Sequence, residues 1–385
     1  MAANPGVVIE ARIEGVSESN SASQMIASVE DGADIFCFAQ DQISRLIQAG
    51  ALTKLGKAAA EEVKSTNDAA AIAAATFGDS LYCYPITSDN CYVMYYDKRY
   101  IKEEHLDSFE DILADCEAAD RLFSFQTTTS AWYAASWFFA TGCESEWTVA
   151  EDGKAFTAVN DTFNSEAGLT ALKGMKKLMS SKANNSSEST ATFAAAVPSA
   201  VVVAGSWGYT TAKEALGDNL GITDLPSFTV DGKSYHLGSF TGCKLIGVKP
   251  QTDATRSAVL QKLALFLSSE ECQLERHDLV AWGPSNINAQ ANEKVKNDPL
   301  MVAIEEQKKY SVLQGQIEGS WWTTGTNLAT AAMEATTDEE LWAALETYEK
   351  AVYSRINMSV DEANKWALIG ELNGDNWTKD VEMIC

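Results

Sequence analysis

Apolar and polar residues recur along the chain with two periods, one typical of strands and one typical of helices. Short apolar runs predict strands at residues 7–13, 33–39, 81–86, 91–97 and 201–203. Segments with apolar residues three or four apart predict helices at residues 19–32, 105–121, 164–181, 253–274 and 337–356. Asp107 or Ser108 is the expected N-cap of the second helix. This alternation predicts an α/β protein whose sheets are mainly parallel.

Two of the helices show their expected buried faces in the spacing of apolar residues. The positions in the first are Leu169, Leu172, Met175, Leu178 and Met179. The positions in the second are Val259, Leu260, Leu263, Phe266 and Leu267. Both sets recur at the helical period, so each helix is expected to pack one apolar face against a sheet.

The chain has 385 residues, which is more than one compact core usually contains. Two lobes or domains are therefore expected. No stretch approaches the roughly 20 consecutive apolar residues that a transmembrane helix needs. The sequence thus predicts a soluble chain.

The formal net charge is -25 at pH 7. Such a charge repels phosphate backbones and anionic lipid surfaces, so nucleic acid is not expected as a partner. The opening residues MAANPGVVIEARIEG lack the basic start and apolar core of a signal peptide. Taken literally, this indicates the cytoplasm; the alternative is that the true start of the protein lies upstream.

The cysteines are spaced far apart in the sequence. The eight positions are 37, 83, 91, 116, 143, 243, 272 and 385. No CxxC pair occurs, so neither a redox dithiol nor a zinc site is predicted. Most of the thiols are expected to be reduced core residues, Cys37 and Cys83 in particular because they lie in apolar runs. A disulfide between Cys83 or Cys91 and a distant partner stays open at this point.

The sequence contains no recognisable catalytic, cofactor or metal motif. There is no Walker loop, no GxGxxG between a strand and a helix, and no HExxH. The segment GSFTG at residues 238–242 lacks the serine of a nucleophile elbow. His105 and His277 lie among charges in helical segments, where a surface role is expected. A glycosidase with two carboxylates brought together by folding stays an alternative.

Aromatic residues lie next to small or turn-forming residues more often than core packing explains. The predicted set is Trp132, Tyr133, Trp207, Tyr209, Trp282, Trp321 and Trp322. Indole and phenol faces stack on the axial C–H groups of sugars, and carboxylates such as Asp41 and Asp89 hydrogen-bond sugar hydroxyls. Any one of these rings alone is more typical of a core, but the repeated pattern favours carbohydrate recognition.

The stretch VVVAGSWGY, residues 201–209, has two interpretations. The simpler one is a buried strand whose end is covered by Trp207. The functional one is a ring held out at a strand end, with the glycines on either side of it clearing room for a sugar face. The local pattern favours the first, and only the rest of the chain favours the second.

Four stretches, taken in order, resemble the maltose-binding branch of the extracellular solute-binding proteins, extracellular solute-binding protein family 1. They begin ADIFCFAQDQ (residue 33), LYCYPITSDN (81), FNSEAGLTAL (163, followed by AVVVAGSWGY) and GSFTGCKLIG (238). The likeness runs from about residue 6 to 353. It implies a class II periplasmic-binding-protein-like fold, in which two α/β lobes close around a sugar by a hinge.

The resemblance also implies a set of ligand contacts. Trp207 matches a stacking tryptophan, and Tyr209 matches its aromatic neighbour. Trp132 lies where the family has a stacking tyrosine, and Trp322 lies at another ring position. Phe38 lies where the family has a tryptophan.

The polar positions match the family less closely. Asp41 matches a hydroxyl-binding aspartate, and Asp89 replaces a glutamate. Gln42 stands where maltose binders have arginine, and Ser130 stands where they have glutamate. These two departures leave the identity of the sugar open.

By the same resemblance, each lobe is assembled from separate chain segments. Residues 1–88 and 239–295 are assigned to the N-terminal lobe, and residues 89–238 and 296–358 to the C-terminal lobe. Residues 85–90, 238–242 and 311–318 interrupt the regular patterns and are the expected hinge crossings.

The two ends need separate interpretations. Residues 359–385 contain WALIGELNGDNWTKDVEM, which resembles the opening strand of β-sandwich starch-binding modules. At the other end, the first strand and most of the first helix of the family are expected upstream of Met1, together with a lipoprotein signal.

The predicted function is the sugar-binding component of a carbohydrate ABC transporter, for maltose or a maltodextrin. The expected partners are an oligosaccharide and the permease subunits, and the chain is expected to be a monomer. It is expected to be extracellular or periplasmic, with no cofactor, metal or catalytic residue. The alternative is a secreted glycan-active enzyme or a lectin-like carbohydrate-binding protein.

Overall fold

The computed structural model describes residues 10–150 and 155–356. Its helices are α1 Glu18–Ala27, α2 Ile43–Gln48, α3 Lys57–Thr66, α4 Ala69–Ala74, α5 Phe109–Ala118, α6 Ala131–Ala140, α7 Glu166–Met179, α8 Tyr209–Leu216, α9 Ala254–Leu267, α10 Glu270–Val280, α11 Ile287–Ala291, α12 Glu293–Lys296, α13 Pro299–Lys308, α14 Trp321–Glu334 and α15 Asp338–Tyr353. Its strands are β1 Ile35–Ala39, β2 Thr76–Phe77, β3 Ser80–Leu81, β4 Cys83–Pro85, β5 Val93–Asp97, β6 Leu122–Ser124, β7 Ser145–Val149, β8 Phe156–Asp161, β9 Asn184–Asn185, β10 Ser199–Ala204, β11 Leu220–Thr223, β12 Ser227–Val230, β13 Lys233–His236, β14 Ser239–Thr241, β15 Lys244–Val248 and β16 Ser311–Leu313. The α/β class is therefore confirmed.

The N-terminal lobe is built on a three-stranded sheet in the order β1-β15-β4. Its apolar core draws on two separate parts of the chain, residues 22–86 and 243–264. Phe36 and Phe38 of β1 are buried in this core, and Val248 at the end of β15 lies opposite Ile35. The lobe thus needs both chain segments to complete its sheet.

The C-terminal lobe is built on a five-stranded sheet in the order β11-β5-β10-β6-β9. Every residue of the central strand β10 is buried. A separate apolar cluster packs on each face of β10. The two clusters also include residues from positions 281–304 and 317–352. This burial explains the run of valines in the sequence, because a strand covered on both faces is apolar throughout.

The expectation of mainly parallel sheets is wrong for the N-terminal lobe. Within the described ranges, β15 pairs antiparallel with both β1 and β4. The larger sheet is mixed, because β10 and β6 are parallel whereas β5 is antiparallel to β10. The physical reason is the route of the chain: β1 and β4 run towards the junction of the lobes, whereas β15 and β5 start from it.

Most predicted helices are confirmed, and one of them is divided into two helices. The Ser108 side chain caps α5 by accepting a hydrogen bond from Asp111 N at 3.2 Å. The single helix predicted at 253–274 is two helices, because Ser269 starts α10 as its N-cap. The apolar face of α7 is buried as expected. That of α9 is only half-covered, and the Phe266 side chain is 53% exposed.

Two expectations near the start of the chain are corrected. The described part of the first predicted strand, residues 10–13, forms no strand and is exposed, and residues 7–9 lie outside the described residues. Cys37 is exposed and not a core residue, because successive side chains of β1 point to opposite faces and only Phe36 and Phe38 face the core.

The other thiols follow the expectation. Cys83, Cys91, Cys116, Cys143 and Cys243 are buried, and they are free thiols together with Cys37 and Cys272. Burial raises the pKa of Cys91 and of Cys243 to about 12, so both remain protonated at neutral pH. Cys385 and the segment that resembles a starch-binding module lie outside the described residues.

The three predicted hinge crossings lie side by side. Strand β14, in residues 238–242, pairs in parallel with β16, Ser311–Leu313. Asn90 N donates to Gly242 O at 3.1 Å, and Gln314 N donates to Thr241 O at 2.8 Å. The crossings therefore form one hydrogen-bonded layer between the lobes.

Candidate functional site

A group of aromatic rings lies where the two lobes meet. Trp207 lies on a short turn after β10, and Trp132 is in the first turn of α6, so both rings come from the C-terminal lobe. Their centroids are 5.8 Å apart with planes tilted by 40°. Trp132 also contacts Tyr92 edge-on at 4.6 Å and Tyr133 at 5.0 Å. The sequence-predicted pair Trp132 and Trp207 is thus brought together.

Gly205 explains how the Trp207 ring is held. A Cβ atom at Gly205 would lie 2.1 Å from the Trp207 ring, so the indole rests directly on the glycine backbone. The glycine therefore makes room for the ring itself, and not for a sugar as the sequence suggested. The Trp207 side chain is 37% exposed. Its placement differs from that of a core tryptophan.

Gln314 ties Trp132 to the hinge layer. Trp132 Nε1 donates to Gln314 Oε1 at 2.9 Å, and Asn90 Nδ2 donates to the same oxygen at 3.4 Å. Gln314 follows β16 directly and is buried. No sequence pattern marked Gln314, because a lone glutamine after a short strand carries no signal.

Lys244 supplies a cation to the aromatic group. It opens β15, and its Nζ lies 4.2 Å from the centroid of the Trp282 ring and 5.0 Å from that of Trp207. Glu18 Oε1 lies 3.3 Å from the same Nζ. Sequence reasoning missed Lys244, because a lysine at the start of an apolar strand is typical of an exposed strand end.

Asp89 joins three parts of the structure. Its Oδ2 accepts hydrogen bonds from Ser206 Oγ and from Gly283 N, each at 2.6 Å. Asp89 lies in the first hinge crossing, Ser206 adjoins Trp207, and Gly283 adjoins Trp282. The carboxylate therefore links both tryptophan turns to the hinge.

Three buried carboxylates retain an oxygen that accepts no hydrogen bond from the described residues. These are Asp41 Oδ1, Asp89 Oδ1 and Glu318 Oε1. Buried acceptors are normally paired, so such oxygens mark places where a ligand or water donates. Burial raises the pKa of Asp41 to about 7, with partial compensation by the Arg45 charge. Burial also raises the pKa of Glu318.

The remaining predicted site residues lie apart from the Trp132–Trp207 pair or are covered. Phe38 is fully buried in the N-terminal core, so its ring presents no face to the lobe junction. The Tyr133 hydroxyl donates to Glu188. Tyr209 is half-buried at the start of α8, and Trp322 packs against Phe240 at 5.8 Å. Ligand contact by these four residues stays a prediction, as it does for the other predicted site residues.

Asp41 should give the protein a specific pH dependence. Its pKa rises from 3.8 to about 7 on folding, so the folded state keeps a proton that the unfolded state releases. The contribution of Asp41 to stability is therefore lost as the pH rises from about 4 to about 7. Asp41→Asn cannot ionise, so its melting temperature relative to that of the wild type should increase as the pH rises from about 4 to about 7.

Thermal melts at a series of pH values test this, with exposed Asp79→Asn as the control for loss of one carboxylate. A constant difference between Asp41→Asn and wild type over this range would contradict the prediction.

Two α/β lobes joined by three crossing segments, with rings and buried acceptors at their junction, are typical of a ligand-binding protein. The family model for bacterial extracellular solute-binding proteins matches residues 1–303. The chain belongs to this family. In the described part of the chain, no helix is long and apolar enough to cross a membrane.

Solved structures show the same fold. A structure determined with acarbose is 30% identical, with a TM-score of 0.80, and the match covers 92% of this chain and 91% of that one. The maltodextrin-binding protein MalE1 from L. casei BL23, without ligand, is 21% identical, with a TM-score of 0.74 and coverage of 87% and 88%. The GacH receptor of Streptomyces glaucescens GLA.O is 16% identical, with a TM-score of 0.71 and coverage of 87% and 88%. No curated protein sequence matches the chain.

Proposed function

We propose that the protein is the substrate-binding component of a carbohydrate ABC transporter and binds an oligosaccharide of the maltodextrin type. The observation that carries this proposal is the grouping of Trp132, Trp207 and Trp282 at the lobe junction. Indole rings contributed by both lobes suit the apolar faces of a glucan. The unpaired oxygens of Asp41 and Asp89 suit its hydroxyl groups.

The relatives support the choice of ligand. The structure that is 30% identical was determined with acarbose, and the L. casei protein is named for maltodextrin binding. Both names point to glucose-based oligosaccharides. The departures at Gln42 and Ser130 leave chain length and linkage open.

The hinge layer supports a closing mechanism. The three crossings are short and bonded to one another, so the lobes are able to rotate about them while each core stays intact. We propose that residues 1–88 and 239–295 move against residues 89–238 and 296–358. Sugar held by rings and acceptors of both lobes favours the closed state by its differential affinity.

The family supports a proposal for the cellular setting. We propose that the protein acts outside the cytoplasmic membrane as a monomer, is anchored there as a lipoprotein, and delivers sugar to the permease subunits. We propose no catalytic role, because the site offers a ligand ring stacking and hydrogen-bond acceptors.

Calorimetric titration with maltotriose tests the proposal, with cellotriose as the control for linkage. We expect saturable one-to-one binding of maltotriose without consumption of the sugar during prolonged incubation. Absence of binding to any maltooligosaccharide would contradict the transport function. Release of new reducing ends would instead support the glycan-active enzyme.

A further inference from the structure

Gln314 bonds to both of the other crossing segments in the hinge layer. It lies in the third crossing, and its backbone N–H donates to Thr241 O in the second crossing at 2.8 Å. Its Oε1 accepts a hydrogen bond from Asn90 Nδ2 in the first crossing at 3.4 Å. The residue is 4% exposed, so these bonds form away from bulk water. Gln314 therefore has a fixed place in the hinge layer.

Gln314 also links the two lobes. Its carbonyl accepts a hydrogen bond from Gln40 Nε2, and Gln40 lies between β1 and α2 of the N-terminal lobe. Its Oε1 accepts the indole N–H of Trp132 at 2.9 Å, and Trp132 lies on α6 of the C-terminal lobe. An indole N–H only donates, and Asn90 donates to the same atom, so an oxygen must face both groups. One glutamine thus joins the N-terminal lobe to a ring that is proposed to stack on sugar.

The bond to Gln314 decides what the Trp132 ring offers a ligand. Because its N–H group is already paired, the ring offers a sugar its face and not its donor. Tyr92 supports the same orientation, with its ring edge-on to the indole at 4.6 Å and its hydroxyl donating to Trp132 O at 3.0 Å. Tyr92 belongs to the core of the C-terminal lobe, whereas Gln314 relates the ring to the N-terminal lobe.

We infer that Gln314 is a positioning residue for sugar binding, which fixes the Trp132 ring relative to the N-terminal lobe before the sugar arrives. This inference rests on the proposed sugar-binding function. Without the hydrogen bond, the indole would gain rotational freedom that the sugar would have to remove on binding. Ordering one such side chain costs roughly two- to tenfold in affinity.

A double-mutant cycle on the full chain tests the inference, with the affinity for maltotriose measured by calorimetry. Gln314→Met keeps the length of the side chain but removes the acceptor. Trp132→Phe removes the donor but keeps an aromatic ring. We expect Gln314→Met to weaken binding about three- to tenfold in the wild type, and less than about twofold when residue 132 is already phenylalanine.

Gln316→Met is the matched control. Gln316 is a glutamine of the same segment and also bonds to the N-terminal lobe, because its side chain accepts from Ser44 N at 3.2 Å and donates to Gln40 O at 3.3 Å. Neither of these bonds involves Trp132. Any loss of affinity in Gln316→Met should therefore be the same in the wild type and in Trp132→Phe.

The indole N–H signal of Trp132 in proton–nitrogen NMR spectra gives a readout that a general loss of stability would not move. It is identified as the signal that disappears in Trp132→Phe. In Gln314→Met this signal should shift and its proton should exchange faster with water, whereas in Gln316→Met it should stay in place. Addition of maltotriose to the wild type should leave the proton protected, because the sugar contacts the ring face.

Equal effects of Gln314→Met in the two backgrounds, or an unchanged Trp132 signal in Gln314→Met, would overturn the inference alone. If Gln314→Met does not fold, the wild-type signal decides, because exchange as fast as in free tryptophan would overturn the inference and protection would support it. Failure of the wild type to bind any maltooligosaccharide would overturn the proposed function as well.

Discussion

Replacing Trp207 by alanine is expected to weaken oligosaccharide binding by about 1–3 kcal/mol, the scale of losing a stacked aromatic contact. This corresponds to roughly a 5- to 150-fold increase in Kd. The melting temperature without sugar should change little, because the ring is 37% exposed and rests on Gly205. Trp132→Ala should weaken binding on the same scale, with some loss of stability because its indole also bonds Gln314.

Gly205→Ala gives an independent test of how the ring is placed. The added Cβ would overlap the Trp207 ring, so the indole must move while its chemistry is unchanged. We expect weaker binding with a nearly unchanged melt. Trp342→Ala on α15 is the control, because this partly buried ring packs on the C-terminal core outside the aromatic group. Calorimetry that gives equal affinities for Trp207→Ala, Trp342→Ala and wild type would show that Trp207 does not contact sugar.

Replacing Trp137 by alanine is expected to cost about 3–5 kcal/mol of the free energy of unfolding, as for other buried tryptophans. Trp137 is fully buried on α6, one turn beyond the site residues. Its ring lies 4.9 Å from that of Phe228 and 5.1 Å from that of Phe109. Urea unfolding measures this loss of free energy. We expect it in the unfolding transition of the C-terminal lobe.

Trp137→Phe separates ring packing from hydrogen bonding. Trp137 Nε1 donates to no acceptor among the described residues, so phenylalanine removes a buried unpaired donor while keeping an aromatic ring. The loss should be clearly smaller than for alanine. A loss as large as that of alanine would show that the indole N–H is paired in solution and that the explanation by ring packing is incomplete.

Helices were predictable where local chemistry decides them. Two examples are confirmed: the helical spacing of Leu169, Leu172 and Met175 in α7, and the N-cap of α5 at Ser108. Both depend only on neighbouring residues. The strand β10 was predictable for the same reason, as a continuous apolar run. The division of the helix at Ser269 was not, because apolar periodicity continues across the break.

Ring placement was predictable from sequence only in part. Small neighbours marked Trp207 and Trp132, and the structure places the centroids of these two rings 5.8 Å apart. The same signal marked Trp322, which packs on Phe240. Local sequence does not distinguish these cases, because the exposure of a ring depends on residues far along the chain.

By itself, the sequence determined the α/β class, most of the helices and the apolar strand β10, because these depend on residues close together in the chain. Only the tertiary structure decided the antiparallel pairing of β15 and the contacts of Lys244 and Gln314. Lys244 meets Glu18, Trp207 and Trp282 from three separate parts of the chain. A charge acquires its function from the groups that surround it, and folding alone brings those groups together.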